Sequence, residues 1–484
     1  VITKEPHVAF GQIGLEIMAA LLKEQGHEVV GIGDSTYHPS KHVTTTDERR
    51  NLKILEDFDP DFVGFCSLTH RYQWELKFSR MVRQELPDAR IVFGGPHATV
   101  VPNVIAREPH IDYVCVGEGE YAMLELVEEP DRDDIMNIYP NPLRPLITDL
   151  DSLPFPDKTI WLERAASLDD FRTYLIVSAR GCPFRCSYCF NCVLMDMAEG
   201  LGPWLRYRSP ENVVAELIEA KKRFPIEFVL FQEDNLGLSK PFMRKFAPLY
   251  KKRVRLPYSG NTHPLVIDEE RVRLFKESGC RFLMLGLQSG NEQVRRLHGR
   301  GESNECIREA ARLLHKYGIP FSVDHLFGLP GADKRKYMEE SALLYNEIRP
   351  FTVNTYRLYT LPKTPVLKLG DYSPEFLKRM EQGTHQEVTI RATDNPRYVA
   401  FRNFFVFLPF LPRSVVKFII AHPNILDFFG SLPETAIWVG KGINNLRGGN
   451  VWLVAKYLKS TPKFIAQRLS GYRGEFEKPG GDVE

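Results

Sequence analysis

The chain has 484 residues, 43% of them hydrophobic and 26% charged, and its 63 Lys and Arg against 62 Asp and Glu leave a net charge of +1. That composition excludes a disordered chain, and the charge balance gives no footing for nucleic-acid binding. Four of the eight cysteines fall in one short stretch, "RGCPFRCSYCFNC", Arg180–Cys192. A disulfide scaffold spreads its cysteines, so a reducing, cytoplasmic compartment is expected.

Val1–Phe10 carries no cationic segment followed by an apolar one, so no secretory leader is read there, and residues before Val1 stay open. The front of the chain, to about residue 128, alternates strand and helix patterns. A helix is expected over Leu15–Glu24 with Gly26 after it, then a strand over Val29–Ile32. "DFVGFCSLT", "ARIVFGGPHAT" and "IDYVCVGEGE" are three further strands, the last running into a helix. Short apolar strands joined by helices predict a doubly wound parallel sheet. Ligands sit beyond the carboxyl ends of such strands. Here those ends carry Ser67, Thr69, Gly94, Gly95, Gly117, Glu118 and Gly119. Three glycine turns in succession favour a ligand crevice over tight turns alone, because glycine lets a bulky ligand approach the backbone. No G-x-G-x-x-G follows the first strand, which speaks against a dinucleotide site.

These motifs resemble the cobalamin-binding domain found at the front of many radical S-adenosylmethionine enzymes. The Asp-x-His-x-x-Gly signature that places a histidine on cobalt is absent. The resemblance therefore implies cobalamin held without a protein histidine on cobalt, and His97 is read as a turn residue. The proline- and aspartate-rich stretch "EEPDRDDIMNIYPNPLRPLITDLDSLPFPDK" reads as an extended strap between domains.

Beyond the strap, "YLIVSARGC" is a strand that ends at the cysteine loop. Five more strand–helix units follow, with strands at Phe228, Tyr258, Phe282, Phe321 and Thr352 and helices at Glu211–Arg223, Glu269–Ser278, Glu305–Tyr317 and Lys336–Ile348 among them. Units of this kind close, wholly or in part, into a barrel with its site at the carboxyl ends of the strands. Taken alone, the loop admits a zinc site, a closed cluster with Cys192 as fourth ligand, or a 4Fe–4S cluster with one iron open.

"CPFRCSYC" matches the motif of the same radical enzyme family. That resemblance implies that Cys182, Cys186 and Cys189 hold a 4Fe–4S cluster and that Tyr188 lies against the adenine. The open iron would chelate S-adenosylmethionine, whose reductive cleavage gives a 5′-deoxyadenosyl radical. By the same resemblance, Glu233 and Asp234 in "FQEDN" hold the amino group, while Asn261, Gln288 and Ser289 serve the ribose and methionine parts. Asp234 also suits a helix N-cap, and His263 and His325 stay open between site and core. Cys66, Cys115, Cys280 and Cys306 are read as small core residues.

The tail from about Gly370 reads as helical. "NFFVFLPFLPRSVVKFIIAH" is broken by Pro409 and Pro412 and charged by Arg413 and Lys417, so it predicts buried helices around a bend and not a membrane span. "GNVWLVAKYLKSTPKFIAQRL" is amphipathic, and Gly474–Glu484 is expected to fray.

The expected organisation is thus a cobalamin-binding-like domain (1–130), a linker (131–165), a partial (β/α)6 radical barrel (166–370) and a helical C-terminal cap (371–484). The family implies methylation of an unactivated carbon or, as an alternative, the ring-forming chemistry of anaerobic porphyrin cyclases. A non-catalytic iron–sulfur or zinc protein is the reading from another class. An apolar small-molecule substrate of the lipid, terpenoid or tetrapyrrole kind and an electron donor such as a flavodoxin or ferredoxin are the expected partners. Peripheral membrane contact through the tail stays open.

Overall fold

The computed structural model describes residues 2–3, 12–33, 48–164, 172–331, 334–384 and 395–447. The front domain runs β1 (Ile2–Thr3), α1 (Ile13–Glu24), β2 (Ile32–Gly33), α2 (Glu48–Phe58), β3 (Phe62–Cys66), α3 (Tyr72–Glu85), β4 (Arg90–Gly94), α4 (Gly95–Val100), α5 (Pro102–Ile105), β5 (Tyr113–Val114) and α6 (Glu120–Glu128). Its five strands are parallel in the order β2-β1-β3-β4-β5. Val63, Phe65, Ile91 and Phe93 bury one face, while Val92 and Cys115 bury the other. The sheet is therefore covered on both sides, as a doubly wound fold requires. The strand expected at Val29–Ile32 shrinks to Ile32–Gly33. The strap is the reason: Gly31 donates its N–H to the Ile160 carbonyl at 3.3 Å, and the Trp161 ring lies where a Gly31 side chain would be.

The strap is irregular apart from short 3-10 turns at Leu150–Ser152 and Lys158–Arg164. It is pinned to α1 by a buried pair. Lys158 Nζ meets Glu16 Oε2 at 2.5 Å, and Trp161 Nε1 donates to Glu16 Oε1 at 2.9 Å.

The second domain contains β6 (Thr173–Ile176), β7 (Ala179–Arg180), α7 (Phe190–Met197), β8 (Arg206–Tyr207), α8 (Pro210–Arg223), β9 (Phe228–Phe231), α9 (Lys240–Arg253), β10 (Tyr258–Thr262), α10 (Glu269–Ser278), β11 (Cys280–Gln288), α11 (Glu292–Leu297), α12 (Asn304–Lys316), β12 (Phe321–Phe327), α13 (Lys334–Ile348) and β13 (Thr352–Arg357). Six of these strands form one parallel sheet, β6-β9-β10-β11-β12-β13, and among the described residues its edge strands do not pair with each other. This is a partial (β/α)6 barrel. The two-residue ladder of β7 with β8 is an addition that the sequence pattern did not show. Ser209, Ser239, Asp268 and Ser303 each cap a helix by accepting the N–H three residues on. Along β11, Leu283, Leu285 and Leu287 are fully buried, while Met284, Gly286 and Gln288 keep some exposure on the inner face. That alternation shows an open lumen.

Helices α14 (Pro374–Glu381), α15 (Pro396–Phe407), α16 (Arg413–Ala421), α17 (Pro423–Gly430) and α18 (Glu434–Arg447) close the described chain. Phe401, Phe404 and Phe405 of α15 are fully buried in the barrel's core. The expected proline bend lies between α15 and α16, where Asn346 Nδ2 holds the Leu408 and Leu411 carbonyls at 2.8 Å. Among the described residues no helix is long and apolar enough to cross a membrane. "GNVWLVAKYLKSTPKFIAQRL" and Gly474–Glu484 lie outside the described residues.

Candidate active site

The cysteine loop leaves β7 through Gly181, whose positive φ (88°) and close approach to Trp204 exclude a side chain: a Cβ would stand 2.3 Å from the Trp204 carbonyl oxygen. Trp204 Nε1 in turn donates to the Cys182 carbonyl at 3.0 Å. The far side of the loop rests on the segment 298–302. Ser187 donates its N–H to the His298 carbonyl and its hydroxyl meets His298 Nδ1 at 2.7 Å. Gly299 makes this seat possible, since a Cβ there would stand 2.4 Å from the Arg185 carbonyl.

Within the loop, Cys182 and Cys186 are buried and Cys189 is half-buried. Donors are arranged on their sulfurs. Asn235 Nδ2 donates to Cys182 Sγ at 3.1 Å, Arg300 reaches Cys186 Sγ at 3.6 Å, and the backbone N–H groups of Phe184 and Asn191 serve Cys182 and Cys189. Burial pushes the Cys182 thiol up to about 11 and the Cys189 thiol up to about 12, so metal must displace the protons. Among the described residues no group of three or more His, Cys, Asp or Glu side chains is arranged to hold a metal ion. Three thiols on one short loop, each with an N–H donor on its sulfur, are a donor set that suits three irons of an iron–sulfur cube.

Cys192 stands apart from the three. It lies in α7, is 1% exposed, and packs with Val100, Val101 and Val193 against the front domain. Its thiol donates to the Cys189 carbonyl at 2.8 Å.

Arg300 is a residue that sequence reading missed. One guanidinium reaches Cys186 Sγ, the Tyr188 hydroxyl at 3.3 Å, the Gly286 carbonyl and Glu302 Oε1 at 2.7 Å. Glu302 is fully buried, with His263 Nε2 3.4 Å away and Arg295 beside it. Burial opposes its ionisation, but the His263 N–H and the Arg300 guanidinium hold its carboxyl down at about 2. His263 itself stays neutral because burial lowers its pKa. The glycine-flanked arginine in "HGRGE" was the available signal.

The other expected site residues fall into two groups. Tyr188, Asn261 and Gln288 stand at the carboxyl end of the barrel, with Asn261 half-buried in β10 and Gln288 held at positive φ (65°) where β11 ends. Asp234 opens into a cavity and carries a hydrogen bond from Asn191. Glu233 also borders the cavity, but its carboxylate accepts both the hydroxyl and the N–H of Ser178 at 2.6 and 3.0 Å, and burial pushes it up to about 7. Ser289 is fully buried, and its hydroxyl accepts the Asn291 N–H. Both side chains are thus engaged in holding neighbouring strands and loops. His325 is buried in an aromatic box of Phe327, Tyr337, Tyr345 and Phe405, away from the site.

The cavity, about 1140 Å³, lies between the two domains. Gly94, Gly95, Gly117 and Gly119 line its front-domain side; Asn191, Trp204 and Asp234 line the barrel side. A side chain at Gly94 or Gly117 would meet only ordinary contacts, so what those glycines leave open is cavity volume. Ser67 and Thr69 are buried below this surface, where Thr69 Oγ1 bonds His97 Nδ1 at 3.1 Å. His97 lies in α4 and not in a turn, and it is fully buried with its ring tilted at 45° against Tyr72, which leaves it no exposed face for cobalt. Glu118 has a structural task. Its carboxylate takes Arg180 at 2.8 Å, Arg206 at 2.9 and 3.0 Å, and the Ile147 N–H at 2.9 Å. Glu120 takes the other arm of Arg180. Burial opposes ionisation of Glu118, yet the two arginines hold its carboxyl below the usual range. The front domain's acidic turn is thereby clamped to the residue that opens the cysteine loop.

A cavity of this size, bordered by the front domain's glycine turns and by Gly181 and Asn191 at the two ends of the cysteine loop, defines a two-domain protein built to face one bound group with another. Residues 2–127 match the family model of the B12 binding domain, and residues 176–343 match that of the radical SAM superfamily. The chain belongs to the cobalamin-binding radical S-adenosylmethionine enzymes. It is similar to the uncharacterized methyltransferase PH0819 of Pyrococcus horikoshii, 24% identical over 332 residues that cover 66% of this chain and 69% of that protein. It is also similar to the anaerobic magnesium-protoporphyrin IX monomethyl ester cyclase of Synechocystis, 22% identical over 344 residues covering 66% of each chain. In fold it resembles the radical S-adenosylmethionine methyltransferase TsrM from Kitasatospora setae, solved with tryptophan and a SAM analog, with a TM-score of 0.59, 18% identity, and coverage of 75% of this chain and 74% of that one.

Proposed function

We propose that the protein methylates an unactivated carbon of a small molecule, using S-adenosylmethionine, a 4Fe–4S cluster and cobalamin. The observation that carries this reading is the single cavity bordered both by the front domain's bare glycine turns and by Asp234 and Trp204 beside the cysteine loop. When bound, the cluster supplies the electron that cleaves S-adenosylmethionine, and cobalamin carries the methyl group. Cys182, Cys186 and Cys189 would hold the cluster, with Asn235 and Arg300 donating to two of their sulfurs. Asp234 presents an acceptor suited to an ammonium. Gly94 and Gly117, where an added Cβ would meet nothing closer than 3.6 Å, would let the corrin approach the backbone. Arg180 and Arg206 keep the domains registered through Glu118, so a group on one wall meets the other wall at fixed spacing. The likeness to anaerobic cyclases keeps ring formation as the second reading. All eight cysteines are free, which suits a reducing cytoplasm and a flavodoxin- or ferredoxin-type electron donor.

Anaerobic reconstitution with iron, sulfide and hydroxocobalamin, then reduction in the presence of S-adenosylmethionine, tests the reading. We expect 5′-deoxyadenosine together with stoichiometric corrinoid. A loaded, reduced cluster that yields no 5′-deoxyadenosine overturns the radical reading, and protein that refuses corrinoid overturns the methyl-carrier part.

A further inference from the structure

The inner faces of the barrel strands carry a polar stripe that none of the cofactor roles uses. Alternation along β10, β11, β12 and β13 sends Tyr258, Leu283, Leu285, Val323 and Val353 outward into the helical core. It sends Ser259, Ser322, Asp324 and Asn354 inward. Register places Asp324 beside Gly286 on one strand and Asn354 on the next, with Ser322 one step down beside Met284. Gly286 is two residues short of Gln288 at the cofactor end.

Asp324 makes no ion pair among the described residues; its only side-chain partner is Asn354, whose Nδ2 donates to Oδ1 at 2.9 Å. Burial raises its pKa, as expected for a carboxyl without a counter-charge. Because the Asn354 amide turns its N–H to Asp324, its oxygen is left as an acceptor. One step below Asp324, Ser322 is 2% exposed and its hydroxyl has no hydrogen-bond partner among the described residues; Ser259, also unpartnered, lies farther down, level with Phe282. Buried polar groups of this kind ordinarily find partners. The carboxylate and the amide oxygen thus stand side by side with the Ser322 hydroxyl one step below, and Asp324 has no ion-pair partner among the described residues.

We propose that this stripe is the substrate's anchoring site and that Asp324 receives a cationic amine, so that the substrate is a primary or secondary amine with its reacting carbon toward Gln288. An ammonium brings up to three donors and one positive charge, which suit a carboxylate and an amide oxygen with no cation beside them. Asn354 acts as a positioning residue by fixing the carboxylate's orientation. This inference rests on the radical-enzyme reading, because only there does a lumen below Gln288 face reacting groups.

The test compares 2-phenylethylamine with 3-phenylpropionate as probes of the cluster-loaded protein, by ligand-observed NMR titration. The amine should bind roughly 10-fold or more tighter than the acid, the scale of one charge-assisted hydrogen bond. Asp324→Asn should bring the two probes to within about 2-fold of each other, and Asp324→Glu should restore the preference. Iron and sulfide content checks that each variant is folded. The proposal is overturned if the acid binds as well as the amine, if neither binds, or if Asp324→Asn keeps the preference. Should these results fail while 5′-deoxyadenosine still forms, the anchoring site is wrong and the radical reading stands. Should 5′-deoxyadenosine itself fail to form, the fault lies with the reading beneath.

Discussion

Replacing Cys192 by alanine separates an open cluster from a closed one. Cys192 is 1% exposed among Val100, Val101 and Val193, so the change removes a buried sulfur about the size of a methylene or two. Lost burial and the small void cost about 1.5 kcal/mol. Loss of the weak thiol bond to the Cys189 carbonyl adds about 0.5 kcal/mol, and the better helix propensity of alanine returns about as much. The net cost is about 1.5 kcal/mol, a modest fall in melting temperature. Iron should stay at about four per chain after anaerobic reconstitution, as in the parent. Cys186→Ala, prepared in parallel, should lose most of the cluster. Iron quantitation with visible absorption near the cluster's charge-transfer band reads both. If Cys192→Ala loses iron as severely as Cys186→Ala, Cys192 is a ligand and the open-iron assignment fails.

Three further outcomes follow from the geometry. Glu118→Ala strands the nearly buried Arg206 and half of Arg180's bonding, which should cost about 3 kcal/mol; faster tryptic cleavage in the strap and a lower melting temperature would show it, and an unchanged digestion pattern would deny the clamp. Gly299→Ala forces a Cβ against the Arg185 carbonyl at a φ of 73°, so the cysteine loop should shift and cluster retention fall, while Gly442→Ala, with nothing within 4 Å, should leave it intact. Glu302 is held at about 2 against a reference of 4.5, so its contribution is full above pH 4.5 and fades as pH falls from there toward 2. Acid unfolding of the cluster-free protein should accordingly move to lower pH in Glu302→Gln relative to its own neutral-pH stability, with a shallower slope across that window; identical slopes would remove Glu302 from the balance.

What the sequence showed and what it hid divide along sequence distance. Local periodicity and capping residues placed α10 at Glu269–Ser278 and the strand at Thr352, because a helix or strand is written in neighbouring residues. The cysteine spacing was equally local. Arg300 was not, since its partners Cys186 and Tyr188 lie more than a hundred positions away and come together only through the seat at Gly299. The same holds for the Glu118 clamp, where a motif glutamate that looked like a ligand contact is engaged by Arg180 and Arg206. Glu233 looked free in sequence because its partner Ser178, 55 positions away, is set by strand order. Cys192 was ambiguous in one dimension; in three, α7 packs it with Val100 and Val101 of the front domain while its thiol donates to the Cys189 carbonyl.

The most direct measurement is electron–nuclear double resonance on the reduced, cluster-loaded protein with S-adenosylmethionine labelled with 15N at its amino group. An iron left open by Cys182, Cys186 and Cys189 should show a 15N hyperfine coupling that persists in Cys192→Ala. A fully reduced cluster that shows no coupling, in a sample where S-adenosylmethionine is in excess, would contradict the open iron and with it the assignment of this protein as a radical enzyme.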